Sequence, residues 1–301
     1  MDYRKGFVLI ENGNFNLTTG AKGIKAVNNL IIQNGNYLLS TYDDAIHSDD
    51  YINIDGGTIN INAGDDGIHA NRELVINNGN ITITNAYEGL EAQVVSINGG
   101  DVHLTTNDDG INAGGGADSS SSNRPGANIF DADENCVLSI NGGNVYVNAA
   151  GDGIDSNGWL YFNGGKTIVD GPTNNGNGAL DAGMGIIMNG GEVIAIGASG
   201  MAESLGNGSS VNNINIYLPN IMPAQTEIII KDANDNTVIA HSSAKSFSHI
   251  AFGSKNLELG QKYTLYLNGE IVETFTITGI STIVGDTNQN SRHQMTPNGR
   301  R

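Results

Sequence analysis

The fold is decided by the stretch IDGGTININAGDDGIHA at Ile54–Ala70, which returns as INNGNITITNAYEGLEA at Ile76–Ala92, 22 residues further along the chain. Each copy has a Gly-containing bend, an alternating apolar segment, and then a second short apolar segment. Alternation with a period of two is typical of a β-strand, and no stretch of the chain keeps the 3.6-residue period of a helix. A repeat of this length, built from short strands, predicts a solenoid.

The bend contains glycine at the same place in every copy, which predicts a corner that needs a positive φ. These corner glycines are Gly13, Gly35, Gly57, Gly79, Gly100, Gly143, Gly165 and Gly191. The residue two places earlier is an amide or an acid: Glu11, Gln33, Asp55, Asn77, Asn98, Asn141, Asn163 and Asn189. Side chains stacked at the strand spacing of about 4.8 Å can hydrogen-bond along the axis. We therefore predict an all-β fold, a parallel β-helix with inward Ile, Leu and Val.

Changes in the repeat divide the chain. The β-helix is predicted over residues 1–205, with a loop insertion over 114–135, because the spacing between equivalent residues Ile111 and Ile154 is 43 instead of about 22. Residues 206–285 contain strands without the repeat and predict a small C-terminal β subdomain that covers the open end of the solenoid. Residues 286–301 are polar and are predicted to form a disordered tail.

Composition excludes several classes of function. The chain of 301 residues has 32 acidic and 14 basic residues, a formal net charge of −18, and a single cysteine. One cysteine cannot build a disulfide framework or a thiolate zinc site. The acidic balance argues against nucleic acid or an anionic membrane as partner. No apolar run is long enough to predict a transmembrane helix.

Acidic residues fall into two columns when the coils are aligned on the apolar residue of the second segment. One column lies two positions before that residue and the other lies one position after it. We expect both columns to stack and to face outward. Carboxylates crowded at the strand spacing need a counter-charge, and oxygen ligands from adjacent coils suit Ca²⁺. The predicted calcium ligands are Asp44, Asp66, Glu88, Glu91, Asp109, Asn112, Asp152, Asp155 and Asp181.

Two other interpretations of these columns stay open. A solvated acidic face without any ion is common in acidic proteins. A zinc site could instead use His47 and His69, which lie in the second column 22 residues apart.

A partly coordinated calcium ion could bridge to the carboxylate of a uronate, which the net charge of −18 would otherwise repel. We therefore expect non-catalytic, calcium-dependent binding of an acidic polysaccharide. The predicted ligand-binding residues are Tyr87, Asp108 and Arg124. Flat aromatic faces for neutral sugars are few, since Trp159 is the only indole and Tyr42 is one of few well-placed phenols.

Two alternative functions remain. A polysaccharide lyase would combine calcium with a Lys or Arg base. The candidates for that base on the coils are Lys22, Lys25, Arg72, Arg124 and Lys166. The pattern assigns none of them a catalytic role. The solenoid could also serve as a structural adhesin or stalk.

The repeated Asp65-Asp66-Gly67-Ile68, Asp108-Asp109-Gly110-Ile111 and Asp152-Gly153-Ile154-Asp155 resemble the coils of a family of secreted bacterial carbohydrate-binding proteins. The resemblance covers residues 7–285. It implies a right-handed parallel β-helix that binds calcium, cellulose and acidic sugars such as polygalacturonate. The fold of that family is similar to that of the family-nine polysaccharide lyases, whose D-G-x-D calcium ligands Asp152 and Asp155 match.

The resemblance also implies a plant-type cell-wall polysaccharide as partner and an extracellular or cell-surface location. Residues 1–6 lack the apolar segment of an export signal, so this location rests on the resemblance. We expect a monomer that neither binds nucleic acid nor inserts into a membrane.

Overall fold

The computed structural model of the protein describes residues 6–114 and 132–285. Within these two ranges the chain forms β-strands and no helix. Consequently, no described helix has the length and apolar character that crossing a membrane requires. The predicted insertion over 114–135 lies almost entirely outside the described residues, as do Arg124 and the predicted tail over 286–301.

The first part of the chain folds into 21 short strands within the described ranges. In chain order they are β1 (Val8–Ile10), β2 (Asn14–Thr19), β3 (Ile24–Ala26), β4 (Asn29–Ile32), β5 (Asn36–Thr41), β6 (Ile46–Ser48), β7 (Tyr51–Ile54), β8 (Thr58–Asn62), β9 (Ile68–Ile76), β10 (Asn80–Asn85), β11 (Leu90–Ile97), β12 (Asp101–Thr106), β13 (Ile111–Ala113), β14 (Val137–Ile140), β15 (Asn144–Ala149), β16 (Ile154–Ser156), β17 (Trp159–Phe162), β18 (Lys166–Asp170), β19 (Leu180–Ala182), β20 (Gly185–Met188) and β21 (Glu192–Gly197).

These strands form two parallel sheets that wind as a solenoid of about eight turns. The second sheet has the order β2-β5-β8-β10-β12-β15-β18-β21, so each turn contributes one strand to it. The remaining strands form the first sheet, in which β3, β6, β13, β16 and β19 are only three residues long. The predicted parallel solenoid of about 22-residue coils is confirmed.

Alternating side chains fill the space between the two sheets. Ile54 and Ile76, which precede successive corners, are fully buried, as are Ile59 and Ile81 on the following strands. The corner glycines all have a positive φ, as the sequence predicts. At Gly143 φ is +79°, and a Cβ atom there would lie 2.5 Å from the carbonyl oxygen of Gly100. The corners therefore need glycine both for backbone conformation and for close stacking.

The predicted amide ladder runs along the outside of the same corner. Asn98 donates from Nδ2 to Oδ1 of Asn77 at 2.8 Å, and Asn141 donates in the same way to Asn98 at 2.8 Å. Asn163 and Asn189 continue the series at 2.8 and 2.9 Å. These bonds tie neighbouring coils together in register.

The rest of the described chain forms seven strands: β22 (Asn213–Met222), β23 (Glu227–Asp232), β24 (Thr237–Ser242), β25 (Phe247–Ser254), β26 (Lys262–Leu267), β27 (Glu270–Thr276) and β28 (Ser281–Val284). β25 pairs antiparallel with β21, and β22 and β28 extend the same sheet. The other four form a separate antiparallel sheet in the order β24-β23-β26-β27. A second hydrophobic core joins it to Ile194 and Ile196 of β21.

A buried acid links this four-stranded sheet to the solenoid. Asp170 of β18 is 1% exposed. Its Oδ2 accepts a hydrogen bond from the Tyr146 hydroxyl at 2.8 Å, and its Oδ1 lies 2.9 Å from Nε2 of His241 on β24. Both carboxylate oxygens are thus satisfied across the junction.

Candidate metal centre

The structure brings the two predicted polar columns together at one corner of the solenoid. Strand pairing stacks the second column in register, in the order Lys25, His47, His69, Glu91, Asn112, Asp155 and Asp181. Backbone hydrogen bonds stack the first column in the same way, from Lys22 through Asp44, Asp66, Glu88, Asp109 and Asp152 to Gly178. The alignment of the coils that the sequence predicts is therefore observed as a spatial register.

The expectation that these side chains face outward is wrong for much of the columns. Asp44 and His69 are 0% exposed, and Glu91 is 7% exposed. The reason is that each residue before the bend contacts the residue three places later. Oδ2 of Asp44 lies 2.7 Å from Nδ1 of His47, and the two columns cover each other instead of standing apart in solvent.

Carboxylates of the first column also organise the backbone of the next coil. Oδ1 of Asp44 accepts the backbone N–H of Asp66 at 3.3 Å, and Oδ1 of Asp66 accepts that of Glu88 at 3.2 Å. Oδ1 of Asp109 accepts the N–H of Asp152 at 2.6 Å. One oxygen of each carboxylate is therefore committed to the fold, which leaves the other oxygen for a cation.

Positive charge balances the start of the columns. Nζ of Lys22 lies 2.5 Å from Oδ2 of Asp44, and the same oxygen contacts His47. Burial opposes ionisation of Asp44, but the hydrogen bonds from His47 and Lys22 outweigh it and lower the pKa of Asp44 below its usual value. On its other side, Nε2 of His47 lies 2.9 Å from Oδ1 of Asp49.

One coil further along, a histidine sits between two acids. Nδ1 of His69 lies 3.0 Å from Oδ2 of Asp66 and 2.8 Å from Oε2 of Glu91. Burial, together with the charges of Glu91 and Asp44, raises the pKa of Asp66 to about 8 despite the bond from His69. Burial disfavours the charged imidazole, but its bonds to Asp66 and Glu91 prevail and raise the pKa of His69 to about 11.

Asn112 follows Glu91 in the second column. Its Nδ2 donates to Oε2 of Glu88 at 3.0 Å. Burial, with the charges of Glu91 and Asp66, raises the pKa of Glu88 well above its usual value. Oδ1 of Asn112 is buried and accepts no hydrogen bond from any described residue. A buried carbonyl oxygen without a donor is costly, and a metal ion is one way to satisfy it.

Beyond Asn112 the columns contain acids without a basic partner. We name Asp109, Asp152, Asp155, Asp181 and Glu203 the acid-only cluster. No lysine, arginine or histidine of the described ranges forms an ion pair with any of them. Burial, reinforced by like charge, raises the pKa of Asp109 to about 7 and of Asp152 to about 6. The same causes raise the pKa of Asp155 and of Glu203 to about 8.

Glu203 is the member of the cluster that sequence reasoning missed. It lies after the last coil, so no repeat alignment places it in a column. The structure sets it beside Asp181, whose charge helps to raise its pKa after burial. It also lines a shallow, open depression with Met184 and Gly206. The only signal in the sequence is an isolated acid in a segment that covers the end of the solenoid.

Two of the three predicted ligand-binding residues border the acid-only cluster. Tyr87 is half exposed, and its hydroxyl hydrogen-bonds to Asp108, which together with burial raises the pKa of Tyr87 above its usual value. Tyr42 is 80% exposed near the same corner, two coils earlier. Arg124 lies outside the described residues, so its role stays a prediction.

The candidate bases for a lyase have other contacts where the structure describes them. Lys22 pairs with Asp43 and Asp44, and Lys25 pairs with Asp49. Arg72 contacts Asp50 and Glu73, and Lys166 contacts Glu192. None of these contacts joins a base to the acid-only cluster.

The fold and the site define a parallel β-solenoid with a polar corner that changes from charge-balanced to acidic along its axis. Residues 37–129, about a third of the chain, match the sequence model of a family described as "Carbohydrate-binding domain-containing protein". The match begins on β5 and includes the columns from Asp44 to Asn112. It supports binding of a polysaccharide by this chain. No curated protein and no solved structure gives a significant match.

Proposed function

We propose that this protein binds acidic polysaccharide without cleaving it, through calcium held at the acid-only cluster. The observation that carries the proposal is that winding places five partly buried carboxylates together and gives them no basic partner among the described residues. Such a group needs protons or a cation to remain folded at neutral pH. Divalent calcium with oxygen ligands answers that need.

The donors present fit calcium. The cluster offers only carboxylate oxygens, and Asn112 adds a buried amide oxygen that lacks a donor. Calcium takes six to eight oxygens and accepts waters or ligand oxygens where protein donors run out. Asp109, Asp152, Asp155, Asp181 and Glu203 would hold the ion. Asp44, Asp66 and Glu91, which the sequence also suggests, contact Lys22, His47 or His69 and are less available to calcium.

A polymer fits the shape of this surface better than an enclosed small molecule. The two best-formed depressions in the described part of the chain are shallow and open, and one of them is lined by Glu203. A calcium ion with free coordination positions can accept a uronate carboxylate, which screens the repulsion from a net charge of −18. Tyr42 and Tyr87 offer exposed rings to the sugar faces. We place this activity outside the cell or at its surface.

Affinity electrophoresis through gels that contain polygalacturonate tests the proposal. We expect retardation with calcium, loss of retardation with a chelator, and weaker retardation in a neutral β-glucan gel. Asp155→Asn should reduce the calcium-dependent part. Equal retardation with calcium and chelator would contradict calcium bridging. Release of unsaturated product absorbing in the ultraviolet would instead favour the lyase alternative.

A further inference from the structure

A second, chemically different cation site lies in the charge-balanced half of the columns. We propose that Asp66, His69 and Glu91 bind one first-row transition-metal ion, for which Zn²⁺ is the probe. This site is independent of the proposed calcium cluster and of sugar binding. Its donors are one imidazole nitrogen and two carboxylate oxygens, contributed by two adjacent coils.

The three donor atoms already converge. Nδ1 of His69 lies 3.0 Å from Oδ2 of Asp66 and 2.8 Å from Oε2 of Glu91, and all three atoms lie within 4.8 Å of one another. In a tetrahedral zinc site with bonds of about 2.0–2.2 Å, ligand atoms stand roughly 3.3 Å apart. Small rotations of the two carboxylates therefore open the space that the ion needs.

The other ring nitrogen favours metal binding at Nδ1. Nε2 of His69 lies 3.0 Å from Oδ1 of Asn71, an amide oxygen that can only accept a hydrogen bond. Nε2 consequently carries the proton in the neutral ring, and the lone pair of Nδ1 faces two acids. Only a further proton or a metal ion makes that arrangement favourable. An N–H donated to a carbonyl oxygen is also the usual support of a metal-bound histidine.

Burial and ligand type favour a transition metal over calcium here. His69 is 0% exposed, and Asp66 and Glu91 are 5% and 7% exposed. Imidazole nitrogen suits zinc and its neighbours, whereas calcium selects oxygen. Glu88, also buried, lies next to both acids and can supply a fourth donor.

The neighbouring histidine provides a matched control. His47 stacks on His69 with ring centroids 5.0 Å apart, in the same column one coil earlier. Both of its nitrogens already face acids, Asp44 at 2.7 Å and Asp49 at 2.9 Å, and Lys22 also neutralises Asp44. His47 therefore belongs to a closed ion-pair network and does not ligate the proposed ion.

Titration of the full chain, stripped of metal and then saturated with calcium, tests the site. Zn²⁺ is added in a calorimeter, and Co²⁺ is followed by its visible absorption, which reports coordination directly. We expect one Zn²⁺ per chain, and a loss in affinity of at least about tenfold in His69→Gln and in Glu91→Gln. His47→Gln should bind zinc as the unaltered chain does.

Circular dichroism establishes that each variant folds. Glu91→Gln keeps the shape of the side chain and decides the test if His69→Gln does not fold. Absence of zinc binding to the calcium-saturated chain would overturn the proposal. So would an equal loss in His47→Gln, which would indicate the alternative group of Asp44, His47 and His69. Displacement of zinc by calcium in a one-to-one ratio would overturn it as well, because zinc would then occupy the acid-only cluster.

Discussion

Nδ2 of Asn112 donates to Oε2 of Glu88 at 3.0 Å, and this contact separates two differently balanced halves of the polar corner. On one side, Lys22, His47 and His69 face the acids. On the other side, the acid-only cluster has no basic partner in the described part of the chain. Stability of the two halves should therefore respond differently to protons and to metal ions.

Without divalent cations, the stability of the protein should fall as pH rises from about 4 to about 8. Asp109, Asp155 and Glu203 have folded-state pKa values of about 7, 8 and 8, above their usual 3.8, 3.8 and 4.5. The folded state then binds more protons than the unfolded state in this window, so raising the pH favours unfolding. Asp66, whose pKa is raised to about 8, acts in the same direction.

Thermal unfolding at several pH values, with calcium and with chelator, checks this dependence. We expect calcium to flatten the curve because it replaces the protons. His69, with its pKa raised to about 11, adds stability that is lost above pH 6.5 whether or not calcium is present. The same slope with and without calcium would contradict a calcium site at the acid-only cluster.

Asp155→Asn should stabilise the metal-free protein at pH 8 and reduce its response to calcium. The change removes one charge from the cluster and keeps the shape and polarity of the side chain, and relief of repulsion is worth about 1–2 kcal/mol. Unfolding midpoints with chelator and with calcium give both effects. Asp235→Asn serves as control, since Asp235 lies in an exposed turn at φ +66°, which asparagine also accepts. A metal-free Asp155→Asn protein that is less stable would argue against repulsion.

Tyr87→Ala should weaken binding to polygalacturonate severalfold, while Tyr87→Phe should retain most of it. The ring is exposed for contact with sugar, and its hydroxyl is engaged with Asp108. Tyr42→Ala should act in the same direction. Tyr266→Ala, on the separate four-stranded sheet, is the control. Affinity electrophoresis measures the change, and a loss of the same size in Tyr266→Ala would show that stability is being measured instead.

Asp170→Asn should destabilise the protein by about 1–3 kcal/mol, because it breaks a buried charge-assisted contact between the solenoid and the four-stranded sheet. Denaturant unfolding measures the loss. His241→Gln and the double variant complete a cycle, in which the effects of the two single changes should not add. Strict additivity would mean that the 2.9 Å contact between Asp170 and His241 contributes nothing.

Gly143→Ala should cost about 2 kcal/mol or more, since the residue adopts φ +79° and an added Cβ would meet the Gly100 carbonyl oxygen at 2.5 Å. Gly20→Ala is the control, because no atom lies within 4 Å of a Cβ at that position. Equal thermal midpoints for the two variants would be incompatible with the stacking of corners described above.

Periodicity was sufficient to predict the solenoid and the register of its columns. Each coil repeats the same corner, so a residue at one position predicts its neighbour 22 residues away. The alignment of Asn112 with Asp155 and Asp181 follows from this alone.

Contacts that do not repeat could not be predicted. The alternation of strands suggests that His69 points to solvent, but its strand segment is short and the acid three places earlier bends over it. Long side chains also reach across coils, as Lys22 reaches Asp44, and so decide which acids are neutralised. Glu203 belongs to no coil, and its position depends on how the segment after β21 folds back.

The antiparallel pairing of β25 with β21 has a consequence for how this protein can vary in length. The partner strand runs in the wrong direction to template another turn, so that edge is closed to elongation by duplication. Gain or loss of turns must instead occur at interior corners, in whole steps of the repeat, and each such event moves the acid-only cluster as a unit relative to the histidines. Engineered variants with a lengthened binding face should therefore be built by insertion between existing turns.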